Sequence, residues 1–152
     1  MRDHFLKLFK YNDWANRRIF DAASRVGNID SKALAILNHI VLVQRLWLDR
    51  IQGVSIAYRY WDPAPISEIL EGSDFSSRDW VQFLSVVSAD DWNRRISYVN
   101  SRGVPFVNSL EEVITQVINH STHHRAQVSL LIRQAGQQPP VLDFISFARN
   151  EE

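Results

Sequence analysis

The chain reads as an all-α protein: a four-helix bundle with a short C-terminal fifth helix and a small hairpin-like excursion before the fourth helix. Two observations predict this. Three long segments place apolar residues in alternating steps of three and four, the spacing of a helix that buries one stripe. Between the third and fourth helices the period switches to two, the mark of a short strand pair. With 152 residues a single domain spanning 1–152 is expected, and a chain of that size buries roughly 68–70% of its unfolded surface without needing covalent staples.

The first helix runs from about Asp3 to Arg25, with Phe5, Leu8, Asn12, Ala15, Ile19, Ala22 and Val26 on one stripe. Asn12 interrupts that stripe, Trp14 flanks it, and Gly27-Asn28 supplies a stop. The second helix runs from about Lys32 to Gln52, with Asp30 and Ser31 as candidate caps and Gly53 at its end. Its stripe is Ile36, His39, Val43 and Leu46, beside Trp47. A second apolar row, Leu34, Leu37, Val41 and Leu48, lies on another face. That row packs either on a neighbouring helix of the same chain or on another subunit.

From Gly53 to Ser73 the helical pattern breaks. Tyr58, Tyr60, Trp61, Pro63 and Pro65 indicate a loop with aromatic anchors, and Ile66 to Leu70 a short helical turn. The aromatics serve either to pack the loop on the core or to line a cleft. A third helix is expected to begin between Asp74 and Ser77, with Ser76 and Asp79 as a capping box, and to end near Ser88 to Asp90. Trp80, Phe83, Leu84 and Val87 form its apolar side. Ile96 and Tyr98, then Val104, Phe106 and Asn108, alternate about Ser101-Arg102-Gly103 as a hairpin. Ser109 and Glu112 form a capping box for the fourth helix, Leu110 to Gln134, which Gly136 and Pro139-Pro140 terminate. Val141 to Arg149 closes the chain as a short helix with Leu142, Ile145 and Phe147 or Phe144 inward.

The fourth helix carries the chemistry. Its stripe is Leu110, Val113, Val117, His120, His124, Gln127 and Leu131, so two histidines replace core aliphatics. Residues four apart lie ~40° apart and one turn along, so His120 and His124 can face one ion. His123 lies at the stripe's edge and is a weaker candidate. The bland alternative is a pair of core histidines hydrogen-bonded to backbone or to each other. His39, on the second helix's stripe, shifts the balance. Three imidazoles converging inside a bundle suit zinc or nickel first, and iron as well, and leave a coordination position open. No glutamate follows His120; Ser121 stands there, so the metalloprotease HExxH pattern is absent. His4 reads as an ordinary surface histidine and Arg125 as a surface or interface charge. Asn12, Asn38 and Gln127 are candidates to hydrogen-bond the ligands from outside, with backbone groups as their alternative partners. No general acid or base is identifiable.

Composition narrows the partners. Seventeen basic and seventeen acidic residues cancel and there is no cysteine, which excludes disulfides, thiolate ligands and a cysteine nucleophile. With no basic block and no long apolar run, neither nucleic acid nor a membrane is an expected partner, and the cytoplasm is the expected compartment.

Three stretches carry a resemblance: Tyr11-Asn12-Asp13-Trp14-Ala15-Asn16-Arg17, Asn38-His39-Ile40, and Asn119-His120-Ser121-Thr122-His123-His124-Arg125-Ala126-Gln127. In these, and in Leu142-Asp143-Phe144 near the end, the sequence resembles the DinB-like (DinB/YfiT) family of metal-dependent bacterial proteins. Ala126 stands where that family often has glycine. The resemblance implies a four-helix bundle, commonly dimeric, with His39, His120 and His124 as ligands of a divalent metal. It also implies a transferase or isomerase using a small diffusible thiol such as mycothiol or bacillithiol, acting on an electrophile. The other expectation is a non-enzymatic metal-binding or stress-associated dimeric protein.

Overall fold

A computed structural model describes residues 1–149. Its helices are α1 (Arg2–Ser24), α2 (Ser31–Gln52), α3 (Ile66–Val86), α4 (Leu110–Gln134) and α5 (Phe144–Arg149), with strands β1 (Arg95–Val99) and β2 (Pro105–Ser109) between α3 and α4. α1 packs on α3 and α4, and α2 packs on the same two helices, so α1 and α2 face each other across the bundle.

The pairings fix the directions. Asp13 accepts from Ser77, and Arg17 pairs with Asp74, so α1 and α3 are antiparallel. Val41 meets Gly72, and Arg45 bonds Asp79, so α2 and α3 run parallel. Two parallel helices in succession need a connection that returns along the bundle. Gly53 to Pro65 is that crossover. It runs back over α2, with the Tyr58 hydroxyl on the Asp49 carboxylate, the Tyr60 carbonyl against His39, and the Asp62 carbonyl accepting from Asn38 at 2.9 Å.

Most of the expected boundaries hold within a residue or two, but α3 starts well before Asp74. The helix begins at Ile66, directly after Pro65, and continues through Gly72 and Ser73. Gly72 looks like a breaker but is a contact residue: a Cβ there would sit 3.2 Å from Val41 Cγ1, so its absence lets α2 and α3 approach. Ser76 and Asp79 do not form a capping box. Ser76 donates to Gln44 Oε1 and Asp79 accepts from Arg45. α3 ends at Val86, and Ser88 instead joins Asp91 in a capping box for the 3-10 turn Ala89–Asn93. The Ser109 and Glu112 box opens α4 as expected, and Gly53 closes α2 at a left-handed φ of 73°. The hairpin pairs Arg95 with Ser109 through Val99 with Pro105. α5 is confined to Phe144–Arg149 and buries Phe147, while Ile145 points outward. The second apolar row of α2 is buried within the chain at Leu37, Val41 and Leu48, which removes the reason it offered for a second subunit.

The core forms two large apolar clusters. One gathers Phe9, Trp47, Trp80, Leu110 and Val117; the other gathers Ile19, Phe20, Leu37, Ile69 and Ile132. Between them lies a polar layer. Gln44 donates to Ser121 at 3.1 Å and accepts from Ser76 at 3.2 Å, while its carbonyl accepts from the Trp80 indole. On the other side of the layer is Arg125, which is not a surface charge: it is 1% exposed. It donates to Asn12 Oδ1 at 2.6 Å, Asn16 Oδ1 at 2.7 Å and Thr122 Oγ1 at 2.8 Å, and its guanidinium carbon lies 5.5 Å from the Tyr11 ring centroid. All three acceptors are neutral. Burial pulls the Arg125 pKa below the usual value. Turning the Asn16 oxygen toward Arg125 leaves Asn16 Nδ2 buried without a partner among the described residues.

Arg125→Ala strands two buried amide oxygens, each costing about 1–3 kcal/mol if left unsatisfied. Urea unfolding should therefore show a loss of roughly 2–5 kcal/mol; a loss below about 1 kcal/mol would show that the layer does not hold α1 to α4.

Candidate metal centre

His39, His120 and His124 meet where α2, α4 and the crossover come together. One ring nitrogen from each lies within 4.8 Å of the other two. His39 Nε2 is 3.2 Å and His124 Nε2 3.1 Å from His120 Nε2. Two nitrogens bound at ~2.05 Å to one tetrahedral ion would lie about 3.3 Å apart, so the spacing fits a shared cation.

The helices position the rings by a shift the heptad reading did not anticipate. The most deeply buried residues in the C-terminal half of α4 are Ser121, Arg125, Val128 and Ile132. A straight helix turns every 3.6 residues, so a strict three-four stripe drifts around it. His120 and His124 consequently sit one position off the centre, toward α2 and the crossover, where His39 awaits them. His39 and His124 are 6% and 7% exposed, and His120 is half-buried.

The other ring nitrogens determine what the Nε2 atoms can do. His39 Nδ1 lies 2.9 Å from the Tyr60 carbonyl oxygen, which can only accept, so His39 carries its hydrogen on Nδ1. His124 Nδ1 likewise donates to Gln127 Oε1 at 2.8 Å. In both neutral rings Nε2 is then a bare lone pair. Both lone pairs face His120 Nε2, and one hydrogen there could satisfy only one of them. Protonation offers little relief near neutral pH. Burial, opposed by the Tyr60 carbonyl, pushes His39 down to about 4; burial and then His124 push His120 down to about 4; burial also lowers His124. A cation at the common focus satisfies all three nitrogens, and three neutral imidazoles fit a divalent transition metal.

The flanking residues divide clearly. Gln127 bonds one of the three rings directly. Asn38 acts one step away, holding the Asp62 carbonyl of the crossover, and Asn12 serves Arg125 instead. Trp61 stacks on His39 with ring centroids 3.7 Å apart and planes 10° from parallel, and meets His124 edge-on at 5.7 Å, while 58% of it stays exposed. His123 is exposed and bonded to Gln127, outside the triad, and His4 is exposed on α1. What sequence reasoning missed is the carbonyl of Tyr60, a backbone group without a residue-type signal, and the burial of Arg125. The polar pair Asn12 and Asn16, one turn apart and both buried on α1, was the available clue to the latter.

The DinB family model matches residues 1–152. The chain is 24% identical over 162 residues to Protein DinB of Bacillus subtilis, covering 95% of this chain and 93% of that protein. It is also 24% identical over 151 residues to the uncharacterized protein YizA of the same organism, covering 92% and 93%. The fold is similar to the crystal structure of a DinB-like protein from Bacillus cereus, with a TM-score of 0.63 at 19% identity over 91% of this chain and 95% of that one.

Alanine at His39, His120 or His124 should abolish stoichiometric metal uptake, measured by metal analysis after loading and desalting, whereas His123→Ala should still load. Full loading of His124→Ala would remove that ring from the centre. The metal-free protein should lose stability as pH falls from about 6.5 toward about 4. In that window the unfolded chain, with ordinary histidine pKa values, binds protons that the folded His39 and His120 refuse. Denaturation midpoints across the window test this, and a flat profile would refute it.

Proposed function

The chain belongs to the DinB family, and from that membership and the converging imidazoles we propose that it is a divalent-metal-dependent transferase of a small diffusible thiol. Zinc or nickel is the first choice of ion, with iron next. The observation that carries the reading is the pair of bare nitrogens facing His120 Nε2 at 3.2 and 3.1 Å, an arrangement that costs free energy unless a cation occupies the focus. His39, His120 and His124 would hold a divalent ion, whose Lewis acidity would lower the pKa of a small thiol.

The chain's own residues hold and orient. His39, His120 and His124 provide three neutral donors, one fewer than a closed tetrahedral site. The Tyr60 carbonyl and the Gln127 amide fix the rotation and tautomer of two of them. Trp61 shields one side of the cluster from water. The chain has no cysteine, so any sulfur nucleophile must come from a cosubstrate. Among the described residues, the group that could hold an ion is made of imidazoles alone.

A non-enzymatic metal-binding protein is the second reading. It is favoured by Trp61 lying flat on His39. Cobalt-substituted protein separates the two. Titration with a small thiol should produce a sulfur-to-cobalt charge-transfer band that saturates with thiol concentration. An unchanged spectrum would sink the transferase reading in favour of the binding protein.

A further inference from the structure

The Gln127 side chain bonds two neighbouring histidines, one through its oxygen and one through its nitrogen. Its Oε1 accepts from His124 Nδ1 at 2.8 Å, and its Nε2 lies 3.1 Å from His123 Nε2. The polarity of this chain is forced. If His124 offers its Nε2 lone pair to an ion, its hydrogen must be on Nδ1, and the atom facing it must be an acceptor. The Gln127 oxygen therefore faces His124, and the amide NH₂ faces His123. His123 Nε2 must then accept, which places the hydrogen of the neutral ring on Nδ1. Rotating the amide by half a turn would set N–H against N–H at His124 and leave His123 facing an oxygen.

Resting on the metal reading above, we infer that His123 is a positioning residue: it holds the Gln127 amide in the one orientation that keeps His124 directed at the ion. Residues 120, 123, 124 and 127 make this arrangement available on a single helix, since three- and four-residue steps bring side chains onto one patch. His123 and His124 rings lie 5.0 Å apart and edge-to-face, so Gln127 spans both without leaving the helix surface. The arrangement accounts for a third histidine that contributes no nitrogen to the cluster.

The test is a double-mutant cycle on metal affinity, read at fixed pH by competition with a chromophoric zinc chelator, with dichroism confirming the helices. Gln127→Ala should weaken zinc about 10–100-fold, the usual effect of removing a partner that orients a metal-binding histidine. His123→Ala should weaken it several-fold. The double variant should be no weaker than Gln127→Ala alone, because His123 acts only through the amide. His123→Gln, which can place an oxygen acceptor near the former Nε2, should recover most of the loss. Affinity unchanged in His123→Ala, or a double variant showing the product of the two single losses, would overturn the inference while leaving the metal centre intact. Failure of the unsubstituted protein to bind zinc, nickel or iron would overturn the metal reading and the inference together.

Discussion

Two bare Nε2 lone pairs, on His39 and His124, are aimed at the same nitrogen of His120, and the contacts around them hold them there. Each ring is buried or half-buried, so none can turn to water or acquire a proton cheaply. Two are tied at Nδ1 to acceptors, which commits their Nε2 atoms to the interior. The fold bears this cost only because the helices are held rigidly by other contacts. An ion held by the three rings would relieve that clash, and metal affinity would then be coupled to the stability of the bundle.

The crossover from Gly53 to Pro65 makes the centre possible. Parallel α2 and α3 oblige it to run back along α2, and its route delivers the Tyr60 carbonyl and the Trp61 ring to His39. A bundle with α2 and α3 joined by a tight turn would lack both. Gly72 contributes to the same arrangement from inside, because the close contact with Val41 sets the spacing of the parallel pair.

The polar layer of Gln44, Ser76, Ser121, Asn12, Asn16 and Arg125 performs a related task. Buried polar groups tolerate little displacement, since each needs its partner at hydrogen-bond distance. By linking α4 to both α1 and α2, the layer fixes the rotation of α4. That rotation decides whether His120 and His124 face α2 or the bundle centre. The convergence of the histidines and the burial of Arg125 are thus two consequences of one helix orientation.

The sequence alone was enough for the helices, the hairpin, the Ser109 cap and the histidines that converge. These follow from local rules: apolar spacing, capping chemistry, and the cost of placing imidazoles on a core face without a purpose. The start of α3 was not legible, because Gly72 and Ser73 look like a break until the contact with α2 is known. Arg125 was read as a surface charge because an arginine is rarely buried with only neutral partners, and those partners lie more than a hundred residues away in α1. The Tyr60 carbonyl carried no signal at all, since every residue has one. Local pattern picked out the three histidines that converge. Only the packing of distant segments decided helix direction, the drift of the α4 stripe and the hydrogen bonds that orient the rings, because those depend on which surfaces meet.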